Sequence, residues 1–284
     1  MQPPKLFNRS RIQKRLERRG HADDRFIADM VHRDLHDRLD TITRKFEHAL
    51  IIAPSEEYLV KTANTASDPI HFQTATSLVS ADGALFLDVE SFTPPEKQYD
   101  LIVSLMDLQA TNDVPGYLTR IRHHLKPDGL LLAAALGGET LKELRAAWLS
   151  ADEQISGGAY TRVAPFIDVR DAGALLQRAG FALPVADLEH HVVRYEHPLA
   201  LMNELRQFGA SNPMIDVPAK SMTRTLLGQA IKNYVDTYQN DDGRIPATLE
   251  MIWLSAWAPH ESQQKPLAPG SAKVSLKDVL EKKS

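Results

Sequence analysis

Residues 48–60, HALIIAPSEEYLV, read as a short apolar strand followed by a turn into a helix. The turn runs from Ala53 to Glu57, where a nucleotide-binding α/β protein places glycines because only bare backbone approaches a ligand's charged tail closely. Pro54 supplies no N–H, and Glu56 and Glu57 would repel a ligand carboxylate if they pointed inward. Pointing outward, the same residues make an ordinary helix start, with Ser55 as N-cap and acids in the first turn. The strand argues for an α/β fold, and its turn leaves open whether that fold holds a nucleotide.

Downstream, PIHFQ, ALFLD, YDLIVSL and GLLLAAAL continue the series of short apolar runs. Strands alternating with helix-length connections imply a parallel sheet with crossover helices. The spacing leaves room for a helix between Ile52 and Ile70. It predicts another in VPGYLTRIRHHLKPDG, where Leu118, Ile121 and Leu125 are in phase and Pro127, Asp128 and Gly129 give the stop. Further helices are expected in ETLKELRAAWLSADEQI, in DVRDAGALLQRAGF up to Gly180, and between Pro198 and about Asn240. ALPVADLEHHVVRYEH alternates as one or two edge strands, and EMIWLSAWAP reads as a last buried strand. Upstream, Leu6, Ile12 and Leu16, then Phe26, Ile27, Met30, Val31, Leu35 and Leu39 recur at three- and four-residue steps, giving two amphipathic helices broken near Gly20. The resulting division is an N-terminal helical extension over 1–40, a main domain over 41–262 with a helical insertion at about 198–240, and a C-terminal strap and tail over 263–284.

At 284 residues, 43% hydrophobic and 25% charged, the chain is long enough to bury a substantial core. A formal charge of -4 gives no overall basic field for nucleic acid. Cysteine is absent, which excludes disulfides, thiolate metal sites and cysteine nucleophiles. The pairs His123–His124 and His190–His191 are adjacent and diverge on a helix or strand, so no metal site is expected. Without a membrane-length apolar run or a secretory signal pattern, a cytoplasmic protein without a membrane span is expected. The cluster Arg9, Arg11, Lys14, Arg15, Arg18 and Arg19 reads as the solvated face of the first helix, or else as a lid or a dock for an acidic partner.

In the second half, KQYDLIVSL, NDVPGYLTRIRHHLKPDGLLLAAALGGETLKELR, PFIDVRDAGALLQRAGF and DGRIPATLEMIWLSAWAPHESQQKPLAPGSAKVSL follow one another. In these phrases and this order of elements the chain resembles the class I S-adenosylmethionine-dependent methyltransferases. Within them it is similar to the bacterial and mitochondrial branch containing the respiratory complex I assembly factor that acts on an arginine of a complex I subunit. The malonyl-carrier-protein methyltransferase of biotin synthesis is a more distant relative. The likeness covers roughly residues 5 to 276; YDLIVS and LKPDG are common to the superfamily, whereas GGETLKELR and HESQQKPLAPGSA are long and more specific. The resemblance implies a Rossmann-like α/β fold, with a mostly parallel seven-stranded sheet, one strand reversed, and flanking helices. It implies S-adenosylmethionine as cofactor, over the carboxyl ends of the first strands, and a protein partner such as a respiratory complex subunit.

Carried onto this chain, the resemblance places Ala53 at the cofactor's amino-acid tail. Relatives carry an acid near the end of the second strand that accepts both ribose hydroxyls; in PIHFQTATS this chain offers Gln73, Thr74 and Thr76, none charged, and a glutamine lacks the charge-assisted pair. Asp88, with Val89 beside it, matches the acid that commonly binds the adenine amino group, although an Asp at a strand end is also ordinary loop chemistry. In SLMDLQATNDVPG, Gln109 and Ala110 stand where relatives show His-Trp, and Asp107 is either new polar chemistry or a capping residue. On the substrate side, Gly137 and Gly138 allow close backbone approach. Glu139, Arg145, Arg206, Asn212, His260 and Glu261, with Lys265 and Ser271, fall in the family-specific segments. Glu, His and Arg together can hold a guanidinium or an amide, or the tail is a hydrogen-bonded strap. No residue is singled out as catalytic. Two functions follow: a cofactor-dependent enzyme acting on a protein side chain, or a non-catalytic assembly protein that has lost the cofactor. Methyl transfer, hydroxylation and oligomeric state stay open.

Overall fold

Ala49–Ala53 is buried at all five positions, as a central parallel strand covered on both faces must be. A computed structural model of the chain describes residues 5–19, 25–95, 98–207, 210–215 and 222–264. Its strands are β1 (Ala49–Ala53), β2 (Thr62–Asn64), β3 (Pro69–Thr76), β4 (Leu85–Phe86), β5 (Tyr99–Leu105), β6 (Leu125–Leu136), β7 (Ala182–Tyr195) and β8 (Ile245–Trp257). They form one sheet in the order β2-β3-β1-β5-β6-β8-β7, with β4 beside the carboxyl end of β3. β4, β3, β1, β5 and β6 are mutually parallel, and β8 runs antiparallel to both its neighbours. Apart from the three-residue β2, this is the expected seven-stranded, mostly parallel sheet with one strand reversed.

The helices are α1 (Arg9–Arg19), α2 (Phe26–Asp40), α3 (Val114–His124), α4 (Lys142–Ser156), α5 (Val169–Arg178), α6 (Pro198–Gln207) and α7 (Arg224–Tyr238). α3 and α5 close one face of the sheet, where Tyr117, Ile121 and Leu176 meet Ile52, Ile102 and Leu131. On the other face, Val31, Leu35 and Leu39 of α2 meet Ile51, Val103 and Leu132. A third cluster joins α4 to α6 and α7 through Trp148, Leu201, Leu226 and Tyr234, against the start of β8.

One expected crossover helix is missing. Between β1 and β3 the chain makes a 3-10 turn at Glu56–Tyr58, and then β2 folds back antiparallel onto β3. Ser55 makes no capping bond to this turn, so its helix-start chemistry is not used. Thr62 and Thr65 instead favour an extended hairpin, closed by the Thr65 Oγ1 bond from the Asp68 N–H. The apolar surface the absent helix would bury is covered by α2, with Tyr58, Leu59 and Val60 at its border. Elsewhere α3 ends at His124, because the chain is already in the sheet at Leu125, before the Pro127–Gly129 stop. The strap and tail from residue 265 onward, with Lys265 and Ser271, lie outside the described residues.

Since α2 covers that face, Leu35→Ala, at a fully buried position, should cost about 2–5 kcal/mol in urea unfolding. A loss below about 1 kcal/mol would mean the face is covered otherwise.

Candidate functional site at the carboxyl ends of the strands

β3 and β5 flank β1 on opposite sides, so the connections leaving the sheet diverge at its carboxyl end and define a crevice. Own-chain groups span it. The ladder continues past β1, with the Ser77 N–H donating to Ala53 O (2.8 Å) and the Val79 N–H to Pro54 O (3.0 Å). Ser77 Oγ then donates to Asp107 Oδ1, joining the segment after β3 to the segment after β5 across the end of β1. Ser77 and Asp107 are both buried. Met106 has a φ of 61°, a left-handed conformation costly for a side chain of its size, and it turns the chain where Asp107 enters the crevice. Asp107 heads the 3-10 turn Leu108–Ala110 without a side-chain capping bond; its carboxylate faces Ser77 instead. Among the described residues, Asp107 Oδ2 and Gln109 Oε1 are buried acceptors without a hydrogen-bond partner.

α1 reaches over this crevice. Arg9 Nη1 donates to Ala110 O (3.1 Å) and Nη2 to Ser77 O (3.1 Å), and Nη2 lies 3.7 Å from Asp88 Oδ1. One guanidinium thereby ties together the segments following β3, β4 and β5. The Leu6 and Phe7 N–H groups both donate to Asn112 Oδ1 (2.8 Å each), and Asn112 donates to Glu90. Farther along, Arg11 donates to Met214 O and Arg15 to Ser211 O and Asn212 O. The basic helix is therefore only partly a solvated face: Lys14 and Arg18 are exposed, whereas Arg9, Arg11 and Arg15 satisfy backbone carbonyls. An alternating polar pattern does not distinguish these roles, which is why Arg9 and Ser77 escape a reading of sequence alone.

Burial pushes the Asp107 carboxyl up to about 7; the Ser77 hydrogen bond and the Arg9 charge pull it down, and Asp88 adds to the rise. Nearby, the Tyr117 hydroxyl lies 3.1 Å from Ser104 Oγ, and burial holds its pKa well above the ordinary tyrosine value. The crevice thus buries polar side chains, and burial raises the Asp107 carboxyl to about 7.

The other sequence candidates are dispersed. Ala53 lies at the end of β1 with its carbonyl taken by Ser77. Ser55 is buried with Oγ donating to Glu57, and Glu56 is exposed. Gln73 sits mid-strand, opposite Leu50, and accepts from Tyr99 Oη (2.6 Å), away from the strand ends. Asp88 stands at the crevice mouth and accepts from the Glu90 N–H, while Val89 is a core residue packed among Phe92 and Tyr117. Glu139 pairs with Lys142 at the surface. Arg145 of α4 donates back to Gly138 O and Thr140 O in the segment before that helix. Gly137 admits the Glu250 carboxylate, which a Cβ would meet at 2.2 Å, so the close approach here is by protein. Arg206 is exposed beside Asn203, and Asn212 donates to Thr161 O. His260 and Glu261 follow β8, whose reversal carries them to the amino-terminal pole, roughly 20 Å along the strands from Gly137. One substrate wall containing both Glu139 and His260 is therefore not formed. His32 and His36 lie one turn apart on α2, and no group of three metal-binding side chains occurs among the described residues.

The raised Asp107 pKa has a definite consequence for stability. Below about pH 4 the carboxyl is neutral folded and unfolded; between about 4 and 7 the unfolded chain ionises first, and folding is penalised increasingly. Above that window the penalty is level, on the order of 4 kcal/mol. Asp107→Asn should therefore gain stability relative to the native chain as pH rises from 4 to 7 and hold the gain above it. Parallel urea-unfolding profiles for the two proteins would contradict this.

Comparison with known proteins agrees with the geometry of the sheet. A family profile described as Methyltransferase domain matches residues 52–184. The mitochondrial arginine-hydroxylase NDUFAF5 of Rattus norvegicus is 34% identical over 263 residues, covering 89% of this chain and 76% of that protein. The malonyl-[acyl-carrier protein] O-methyltransferase of Laribacter hongkongensis is 36% identical over 213 residues, 74% of this chain and 64% of that one. Among solved structures, the YcgJ protein of Bacillus subtilis superposes with a TM-score of 0.51 at 11% identity, covering 82% of this chain and 99% of that one, a likeness of fold. By sheet order and by likeness over most of its length, the chain belongs to the methyltransferase-fold family that includes the mitochondrial arginine-hydroxylase NDUFAF5.

Proposed function

We propose that the protein is a respiratory-complex assembly factor that engages an arginine-bearing protein partner at the carboxyl-end crevice and works without S-adenosylmethionine. The observation that carries this reading is the Ser77–Asp107 hydrogen bond across the end of β1. In this reading the residues present do not fit the cofactor. A ligand's carboxylate needs free backbone donors at the end of β1, and there Pro54 has no N–H while those of Ser77 and Val79 are spent on Ala53 and Pro54 carbonyls. The crevice also presents a carboxyl group of its own, Asp107, across the end of β1, and when ionised it disfavours a second carboxylate there. Ribose hydroxyls require an acid at the end of β3, where Thr76 is uncharged and donates to Leu85 O (3.4 Å), while Gln73, farther back in the strand, accepts from Tyr99. On the partner side, support comes from the relatives described as arginine-hydroxylases and from the carboxylates and carbonyls gathered at the crevice, which suit a guanidinium.

Calorimetric titration of the native chain with S-adenosylmethionine should give no binding heat up to about 1 mM ligand. A micromolar dissociation constant would overturn the cofactor-free reading and restore a cofactor-dependent enzyme.

A further inference from the structure

We infer that the crevice is a guanidinium receptor whose resident is Arg9 of the same chain, so that α1 is an intramolecular occupant which a partner's arginine must displace. This rests on the reading above, in which the site meets protein. Guanidinium carries five N–H donors in one plane and no acceptor, so a receptor for it is a rim of oxygens at fixed spacing. Around Arg9 that rim is present: Ala110 O and Ser77 O each take one terminal nitrogen, and the Asp88 carboxylate faces the second. The Arg9 side chain is only 13% exposed, so its bonds to the two carbonyls are largely sheltered, whereas Asp88 is half-exposed at the rim. An independent observation points the same way. Asp107, 1% exposed, keeps one carboxylate oxygen without a partner, and the Arg9 charge acts on that carboxyl. When ionised, Asp107 thus gives the crevice acceptor capacity beyond what its resident uses.

The way α1 is held suits an occupant that can leave. Among the described residues, α1 and the segment before it are held by the buried Phe7 and Ile12, a short backbone bridge between Phe7 and Met214 with the Ile215 N–H donating to Leu6 O, and hydrogen bonds to carbonyls of residues 211–214 and to Asn112. Tethering gives Arg9 a high effective concentration, which excludes stray cations and yields only to an arginine held by additional contacts of a docked partner.

The test is chemical rescue. Arg9→Ala should lower the unfolding midpoint; ethylguanidinium at about 10 mM should recover much of that loss, equimolar ethylammonium should not, and neither should raise the native chain's midpoint. A variant too weak to fold alone reads the same way, as recovery of folding, and Arg9→Gln provides a second vacant crevice of similar bulk. An N-acetyl-arginine amide probe should bind either variant at least roughly tenfold more tightly than the native chain. Equal action of the two cations, or equal probe affinity for native and variant proteins, would overturn the inference. Failure of the cofactor-free reading shows separately, as heat with S-adenosylmethionine on the native chain.

Discussion

Closure of the space above β1 is the constraint on which the rest of the site depends. In an open parallel α/β sheet the connections on either side of the switch point diverge, and the gap between them is a natural ligand site. In this chain Ser77 and Asp107 meet across that gap, and the β3 ladder continues one step beyond the strand onto Pro54. A fully buried carboxylate is expensive unless neutralised or hydrogen-bonded. The Ser77 hydroxyl and the Arg9 guanidinium offset part of that cost, and a pKa raised to about 7 is the remainder. The left-handed Met106 belongs to the same arrangement, since strained backbone persists only where its surroundings over-determine it.

The connection after β1 borders the same crevice. A helix after β1 would present unpaired N–H groups towards the gap, the feature that makes helix starts good anion sites. A 3-10 turn and a hairpin occupy the connection instead, and α2 has become the cover of the adjoining sheet face. The cover of the sheet face and the shape of the connection are thus set by the same stretch, Pro54 to Asp68. On the opposite side, Gly137 makes room for Glu250, which itself accepts from the Glu139 N–H. That wall is internally satisfied as well.

Much of the architecture was readable from the sequence because burial on two faces forces apolar runs such as YDLIVSL and GLLLAAAL, and amphipathic spacing marks α2, α3 and α5. The β1–β3 connection was misread because Ser55-Glu56-Glu57 is good helix-start chemistry locally, and only tertiary cover by α2 makes a helix unnecessary. Asp107 was visible as an oddity, but its role required knowing that Ser77 comes across β1 to meet it. Arg9 was one of six basic residues in a row of similar ones, and nothing in its spacing separates it from Lys14. His260 and Glu261 were grouped with Glu139 because the reversal of β8, which sends them to the far pole, is a property of the sheet rather than of the segment.

On the proposed reading, the crevice that this fold offers a nucleoside is occupied by the Arg9 guanidinium of α1. The most direct measurement is a crystal structure of the chain grown with excess S-adenosylmethionine. The account predicts Ser77 and Asp107 in contact, Arg9 seated between Ala110 and Ser77, and no sulfonium compound between Ala53 and Met106. A cofactor bound there, with Ser77 and Asp107 parted to receive it, would contradict it.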